Sequence, residues 1–126
     1  MNENALEISI GKLVVFAPNL DAAVSFYAET LGLSLTGSGE SFRLFSGRDF
    51  ELVVFDCDES AKPSSYSECA GSAIAFRVPN LDETIRDLES KGVKFLHAEP
   101  QTGPHSRYVA FSDPFGTVHE LVEDLR

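Results

Sequence analysis

His119 and Glu120 stand side by side in SDPFGTVHELVED, residues 112–124. An imidazole and a carboxylate are the side chains that bind metal ions or move protons near neutral pH. Neighbours on a strand point to opposite faces, so only one of the two can look into a given site. His119 shares its parity with Leu121 and is expected to face the helix side as a packing residue, which leaves Glu120 as the outward candidate. His105 lies in the Gly/Pro loop of PQTGPHSRYVAFSD, where it could overhang a ligand. His97, in KFLHAEP, comes at a strand end before Pro100 and is expected on the surface. Arg43 and Arg77 sit on or beside strands, placed either to fork onto an anionic group or to make surface ion pairs. Cys57 and Cys69 flank a polar stretch without a second pair to complete a zinc knuckle; free thiols are expected, a loop disulfide being the alternative. The sequence shows no Gly-rich phosphate loop, nucleophile elbow or Cys-His pair.

The elements that must carry these residues come in two copies. APNLDAAVSFYAETLGLSL (17–35) and VPNLDETIRDLESKGVKFL (78–96) share Pro-Asn-Leu-Asp at an offset of 61. Each follows an apolar strand, KLVVFA (12–17) or AIAFRV (73–78). Asn19 and Asn80 are expected helix N-caps, with Asp21 and Asp82 in the first turn, where carboxylates suit the helix dipole. Leu20, Val24, Tyr27, Ala28 and Leu31 form one buried stripe, and Leu81, Ile85 and Leu88 another; Phe26 and Tyr27 are expected in the core. Gly32 and Gly92 stop the helices. Short strands follow: LSLTG, SFRLFSG and FELVVFD in the first half, VKFLH, RYVAFSD and TVHELVE in the second.

Each half therefore has the order β-α-β-β-β, and the expected architecture is α+β. It is one domain over residues 6–126, with module one at 8–57, a Ser-rich linker at 58–71 and module two at 72–124. Two such sheets can curl into an incomplete barrel around a cavity, the natural place for a ligand.

A chain of 126 residues can bury about two thirds of its unfolded surface and fold without staples. A net charge of −10 with no basic patch disfavours nucleic acid. No apolar run has the length of a spanning helix or signal-peptide core, so no membrane is expected and the cytoplasm is the expected compartment.

The paired modules, the helix NLDAAVSFYAETLGL and the segment DPFGTVHELVE together resemble the vicinal oxygen chelate superfamily. It includes glyoxalase I, fosfomycin-resistance enzymes, extradiol dioxygenases and bleomycin-resistance proteins. The resemblance covers residues 8–124 and implies the two-module incomplete barrel and a homodimer. In metal-dependent members a divalent ion sits on His and Glu side chains from both modules. Carried over one position at a time, the family's His, Glu, His and Glu fall here on Lys12, Glu51, Ala73 and Glu120. A protonated lysine offers only donors, and an alanine offers no ligand atom. Zn²⁺, Ni²⁺ and Fe²⁺ want imidazole nitrogen, so no catalytic divalent metal is expected, although two carboxylates could hold Mg²⁺ loosely.

If the family's ligand positions mark the cavity face, the ammonium of Lys12 stands in for the cation between Glu51 and Glu120. In the alternative, Lys12 reaches solvent. The same parity implies a pocket walled by Val14, Phe16, Val53, Phe55, Ala73 and Ala75, with Arg77 nearer its mouth and His105 as a loop contact. The expected function is metal-independent binding of a small organic ligand, as in the bleomycin-resistance branch. The alternative is a glyoxalase-like lyase or isomerase with Glu120 or Glu51 as base and Lys12 or Arg77 stabilising an enolate.

Overall fold

A computed structural model describes residues 7, 10–57 and 73–125 of the chain. The linker 58–71 and Cys69 lie outside the described residues; Cys57 is a free thiol.

The duplication in the sequence becomes a duplication in space. In the first half, β1 (Leu13–Ala17) leads into helix α1, which starts at Leu20 and ends at Thr30. Then come β2 (Ser34–Ser38), β3 (Phe42–Ser46) and β4 (Glu51–Asp56), giving a sheet of order β1-β4-β3-β2. The second half repeats this with β5 (Ile74–Arg77), α2 (Leu81–Ser90), β6 (Lys94–Phe95), β8 (Ser106–Ser112) and β9 (Val118–Asp124), in the order β5-β9-β8-β6. A two-residue strand, β7 (Gln101–Thr102), adds to β8 and has no counterpart in the first half. In both copies the first strand runs parallel to the last, and the remaining pairs within the sheets are antiparallel. The sheets do not close into a barrel.

Local chemistry sets the helix ends as expected. The Asn19 side chain accepts the Ala22 N–H at 2.9 Å, and the Asn80 side chain accepts that of Glu83 at 3.0 Å. Gly32 and Gly92 adopt φ of 82° and 86°, left-handed conformations that end each helix at little steric cost. The interior of α1 departs from expectation. It is α-helical over Leu20–Val24 and widens into a π-helix over Ser25–Thr30, where the Leu31 N–H reaches back to the Phe26 carbonyl at 2.9 Å. Such widenings are rare and often accompany special side-chain placement. Here the widened turn carries Phe26 and Tyr27, both buried against the sheets.

One core serves both modules. Tyr27 packs on Phe45 of the first sheet at 5.8 Å between ring centroids and on His119 of the second at 6.0 Å. Phe26 meets Phe111 at 6.5 Å, and Phe50 meets Phe76 at 5.7 Å. Tyr27, Phe45 and Phe111 have no exposed surface. Each burial of that kind contributes about 1.5–3 kcal/mol. The inward faces of the sheets therefore share a single core around α1, and the reverse faces are where Lys12, Glu51 and Glu120 lie.

The strand expected over VKFLH is cut to Lys94–Phe95. The cause is visible at Ala110, whose N–H is accepted by Nδ1 of His97 at 3.1 Å. An imidazole has taken the place of the backbone carbonyl that would have extended the ladder.

Candidate functional site

The reverse face of the first sheet is laid out in rows. Parallel pairing of β1 with β4 and antiparallel pairing of β4 with β3 align Phe16, Phe55 and Phe42 across three strands. Their ring centroids are 6.3 Å apart at both steps. The next row is Val14, Val53 and Leu44, and the last is Lys12, Glu51 and Ser46, Lys12 being one residue ahead of β1. Two residues along a strand span about 6.6 Å, so an aromatic end and a charged end lie about 13 Å apart on one surface.

That surface is open. Phe16 is 59% exposed, Val14 49% and Phe55 37%. The described clefts lie elsewhere. One of about 640 Å³ runs between the end of α1 and the β8–β9 turn, past Phe26, Thr30, Lys91 and Asp113. The other, about 600 Å³, lies between the β3–β4 turn and β5, past Arg48, Phe50, Phe76 and Arg77. Lys12, Glu51 and Glu120 line neither of these two. Val14, Phe16, Val53 and Phe55 thus share a face as expected, on which Val14, Phe16 and Phe55 are exposed and Val53 between them is buried.

Lys12 and Glu51 are brought together, Nζ lying 4.0 Å from Oε1 with both side chains about half exposed. Glu120 is on the other sheet, opposite Ala75 of β5 and Ala110 of β8. Ala73 precedes β5 and is exposed. At the four positions where the resemblance implied ligands, the chain offers two carboxylates, an ammonium and a methyl group, and this donor set does not fit a His-rich divalent site. Among the described residues no group of three or more His, Cys, Asp or Glu could hold a metal ion.

Arg77 is held by Asp124, its Nε 2.8 Å from Oδ2, so the expected anchor already has a counter-charge, although the pair is exposed. Arg43 is turned onto the backbone, donating to the Gly39 and Phe42 carbonyls at 2.8 Å each. His105 is exposed, and its carbonyl accepts the Leu125 N–H at 2.8 Å.

His119 is buried, 1% exposed, as strand parity required. Its Nε2 is 2.9 Å from the Tyr27 hydroxyl, which is 2.8 Å from Oδ2 of Asp113. Asp113 is fixed in turn because its Oδ1 accepts the N–H groups of Phe115 and Thr117, each at 2.9 Å. The phenol has one proton and gives it to the carboxylate, so His119 Nε2 must carry the proton it donates to the phenol oxygen. Nδ1 is then a bare acceptor, and it has no partner among the described residues. Burial pushes the His119 pKa down to about 4. It also raises those of Tyr27 and Asp113; the Asp113 charge and hydrogen bond push Tyr27 further up, and the hydrogen bonds to Asp113 partly offset its rise. This is a structural network joining the two modules, and the sequence signalled it only through the buried parity of Tyr27 and His119.

His97 is the residue that sequence reasoning misplaced. It is half-buried, bonded to Ala110, and set edge-to-face on Tyr108 with centroids 6.1 Å apart. It stands beside the face that carries Glu120. Only its nearness in sequence to β6 could have suggested this, because the pairing is a side-chain bond that no periodicity encodes.

The profile of the Glyoxalase/Bleomycin resistance protein/Dioxygenase superfamily matches residues 9–121. No curated protein matches the chain significantly. Among solved structures, a glyoxalase family protein from Bacillus anthracis is 22% identical with a TM-score of 0.78, the match covering 96% of this chain and 98% of that one. TnmS3, an antibiotic binding protein from a Streptomyces species, is 26% identical with a TM-score of 0.72, covering 95% and 99%. Lactoylglutathione lyase from Agrobacterium tumefaciens is 24% identical with a TM-score of 0.69, covering 91% and 92%.

Proposed function

The chain belongs to the glyoxalase/bleomycin resistance protein/dioxygenase superfamily, and on that premise we propose that it binds a small organic molecule without a catalytic divalent metal. The observation that carries this reading is the open face of the first sheet. A row of three phenyl rings and a row of aliphatic side chains end on the Lys12–Glu51 pair. An exposed apolar surface bordered by a few placed polar groups is what a ligand with an apolar body and a polar head requires. Phe16 and Phe55 hold the body, and Lys12 and Glu51 the head. The likeness to an antibiotic binding protein agrees with this use of the fold. The donor set at positions 12, 51, 73 and 120 argues against a metal-assisted route.

An exposed Phe16 and Val14 also call for a cover. A second copy of the chain supplies it, so the protein works as a homodimer with the ligand between open faces. Its place is the cytoplasm, consistent with a chain in which no described helix is long and apolar enough to cross a membrane.

A thermal-shift screen of drug-like and metabolite compounds, with sedimentation velocity for the assembly state, tests this reading. A hit raises the melting temperature by mass action, and Phe16→Ser loses the shift. Tight binding of Ni²⁺, Zn²⁺ or Mn²⁺ by calorimetry, with lactoylglutathione lyase turnover on adding the metal, would overturn it in favour of a glyoxalase-like enzyme using Glu51 or Glu120.

A further inference from the structure

The first strand of each module is paired on one side only, β1 with β4 and β5 with β9. The free edge of β5 borders a cleft. Ile74, Ala75, Phe76, Arg77, Val78 and Pro79 all line the cleft of about 600 Å³ beside the β3–β4 turn. Successive side chains of a strand point to opposite faces, so a wall made of consecutive residues runs along the strand edge and not over one face. The direction of each backbone group follows from one bond. The Val78 N–H donates to the Val122 carbonyl at 2.9 Å, and alternate residues turn their backbone groups to the same side, so Phe76 faces β9 together with Val78. Ala75 and Arg77 therefore direct their N–H and C=O groups away from β9, and these groups have no partner among the described residues. Both residues are exposed.

Donors and acceptors alternating along an edge match the backbone of another extended chain. Strand addition of this kind draws affinity from main-chain bonds and preference from the side chains beside the edge. Phe50 and Phe76, half-buried with ring centroids 5.7 Å apart, give the cleft an apolar surface. The charged side chains lining it are the carboxylates of Asp49, Glu123 and Asp124 and the guanidinium groups of Arg48 and Arg77. Arg77 is already neutralised by Asp124, and the whole chain has a net charge of −10, so a basic side chain on the guest is favoured. A second copy of the chain would bring the same three carboxylates to this edge. The strand is also only four residues long, carries Arg77 and is closely followed by Pro79, which limits pairing to a short segment.

Beyond the small-molecule reading, and on a surface separate from the Lys12–Glu51 face, we propose that the free edge of β5 docks a short extended peptide with an apolar and a basic side chain. The peptide lies along Ala75 and Arg77, pairs with their N–H and C=O groups, and seats its apolar side chain beside Phe50 and Phe76.

The test titrates the full-length ¹⁵N-labelled protein with acetyl-Val-Phe-Lys-Val-amide, with the same peptide N-methylated at its internal amides, and with one that carries Glu in place of Lys. The first peptide is expected to shift the Ala75 and Arg77 amide signals and to slow their hydrogen exchange, while Phe76 and Val78, already turned to β9, stay as they were. The N-methylated peptide, which lacks the donors, binds about tenfold more weakly, and the Glu peptide about threefold more weakly. Ala75→Pro removes an N–H that serves no ladder bond, so the fold is kept and the first peptide binds about fivefold more weakly. Equal binding of the N-methylated peptide, equal binding of the Glu peptide, or shifts that bypass Ala75 and Arg77 overturn the proposal. So does slow exchange at both amides before any peptide is added, in a protein that sediments as a dimer, because a second copy then already covers the edge.

Discussion

Tyr27 and His119 are 92 residues apart in sequence and 2.9 Å apart in space. The contact ties the helix of the first module to the last strand of the second, inside a core with Phe45, Phe76 and Phe111. Because Asp113 shares the same phenol, the strand and the turn that leads into it are held together.

Tyr27→Phe keeps the ring and removes the shared hydroxyl. Asp113 Oδ2 and the His119 Nε2–H then lose a buried partner. The expected cost is about 2–3 kcal/mol, read as a lower urea midpoint with an unchanged slope.

The stability of the protein should fall as the pH drops from about 6.5 to about 4. His119 has its folded-state pKa lowered to about 4, while an unfolded chain protonates histidine near the ordinary 6.5. A depressed group contributes its full stability above the unfolded value and loses it as the pH falls toward the folded one. The difference amounts to about 3 kcal/mol. Asp113 works in the opposite direction, since its raised pKa makes the folded state hold a proton more tightly in acid. His119→Gln should flatten the curve between pH 6.5 and 4 in chemical denaturation series, leaving the carboxyl contributions, among them those of Asp113 and Asp82, at the acid end.

Gly92→Ala meets no atom within 4 Å, so any loss is one of backbone conformation alone. At φ of 86° the expected cost is about 1 kcal/mol, measurable as a small fall in melting temperature.

Lys12→Met breaks an ion pair that is half in solvent. Unfolding free energy should change by less than about 0.5 kcal/mol. Affinity for a ligand found in the thermal-shift screen should fall by a larger factor if Lys12 holds its polar head, a contrast that denaturation and calorimetry on one variant would display. Phe16→Ser should behave likewise, with little loss of stability from a ring already 59% exposed and loss of ligand binding.

Local signals made much of the fold legible. The repeated Pro-Asn-Leu-Asp marks two helix starts because an asparagine side chain caps a helix regardless of what the helix packs on. Gly32 and Gly92 mark the ends because only glycine enters the left-handed region freely. Strand parity alone separated His119 from Glu120 and sent the former into the core. The same parity grouped Lys12, Val14 and Phe16 on one face of their strand and Glu51, Val53 and Phe55 on one face of theirs; the family resemblance implied that the two faces coincide, and the β1–β4 register aligns them.

What parity cannot give is the relation between faces on different sheets, since that depends on how the modules share their core. Only the tertiary structure decided that Lys12 meets Glu51, that Arg77 is taken by Asp124, and that the aromatic row is left open to solvent. It also decided the widened turn at Ser25–Thr30 and the bond from Ala110 to His97. Both satisfy backbone groups in ways that have no period in the sequence. A chain of one-residue preferences specifies elements and their faces, whereas a hydrogen bond between distant residues exists only once the packed core has brought them within 3 Å of each other.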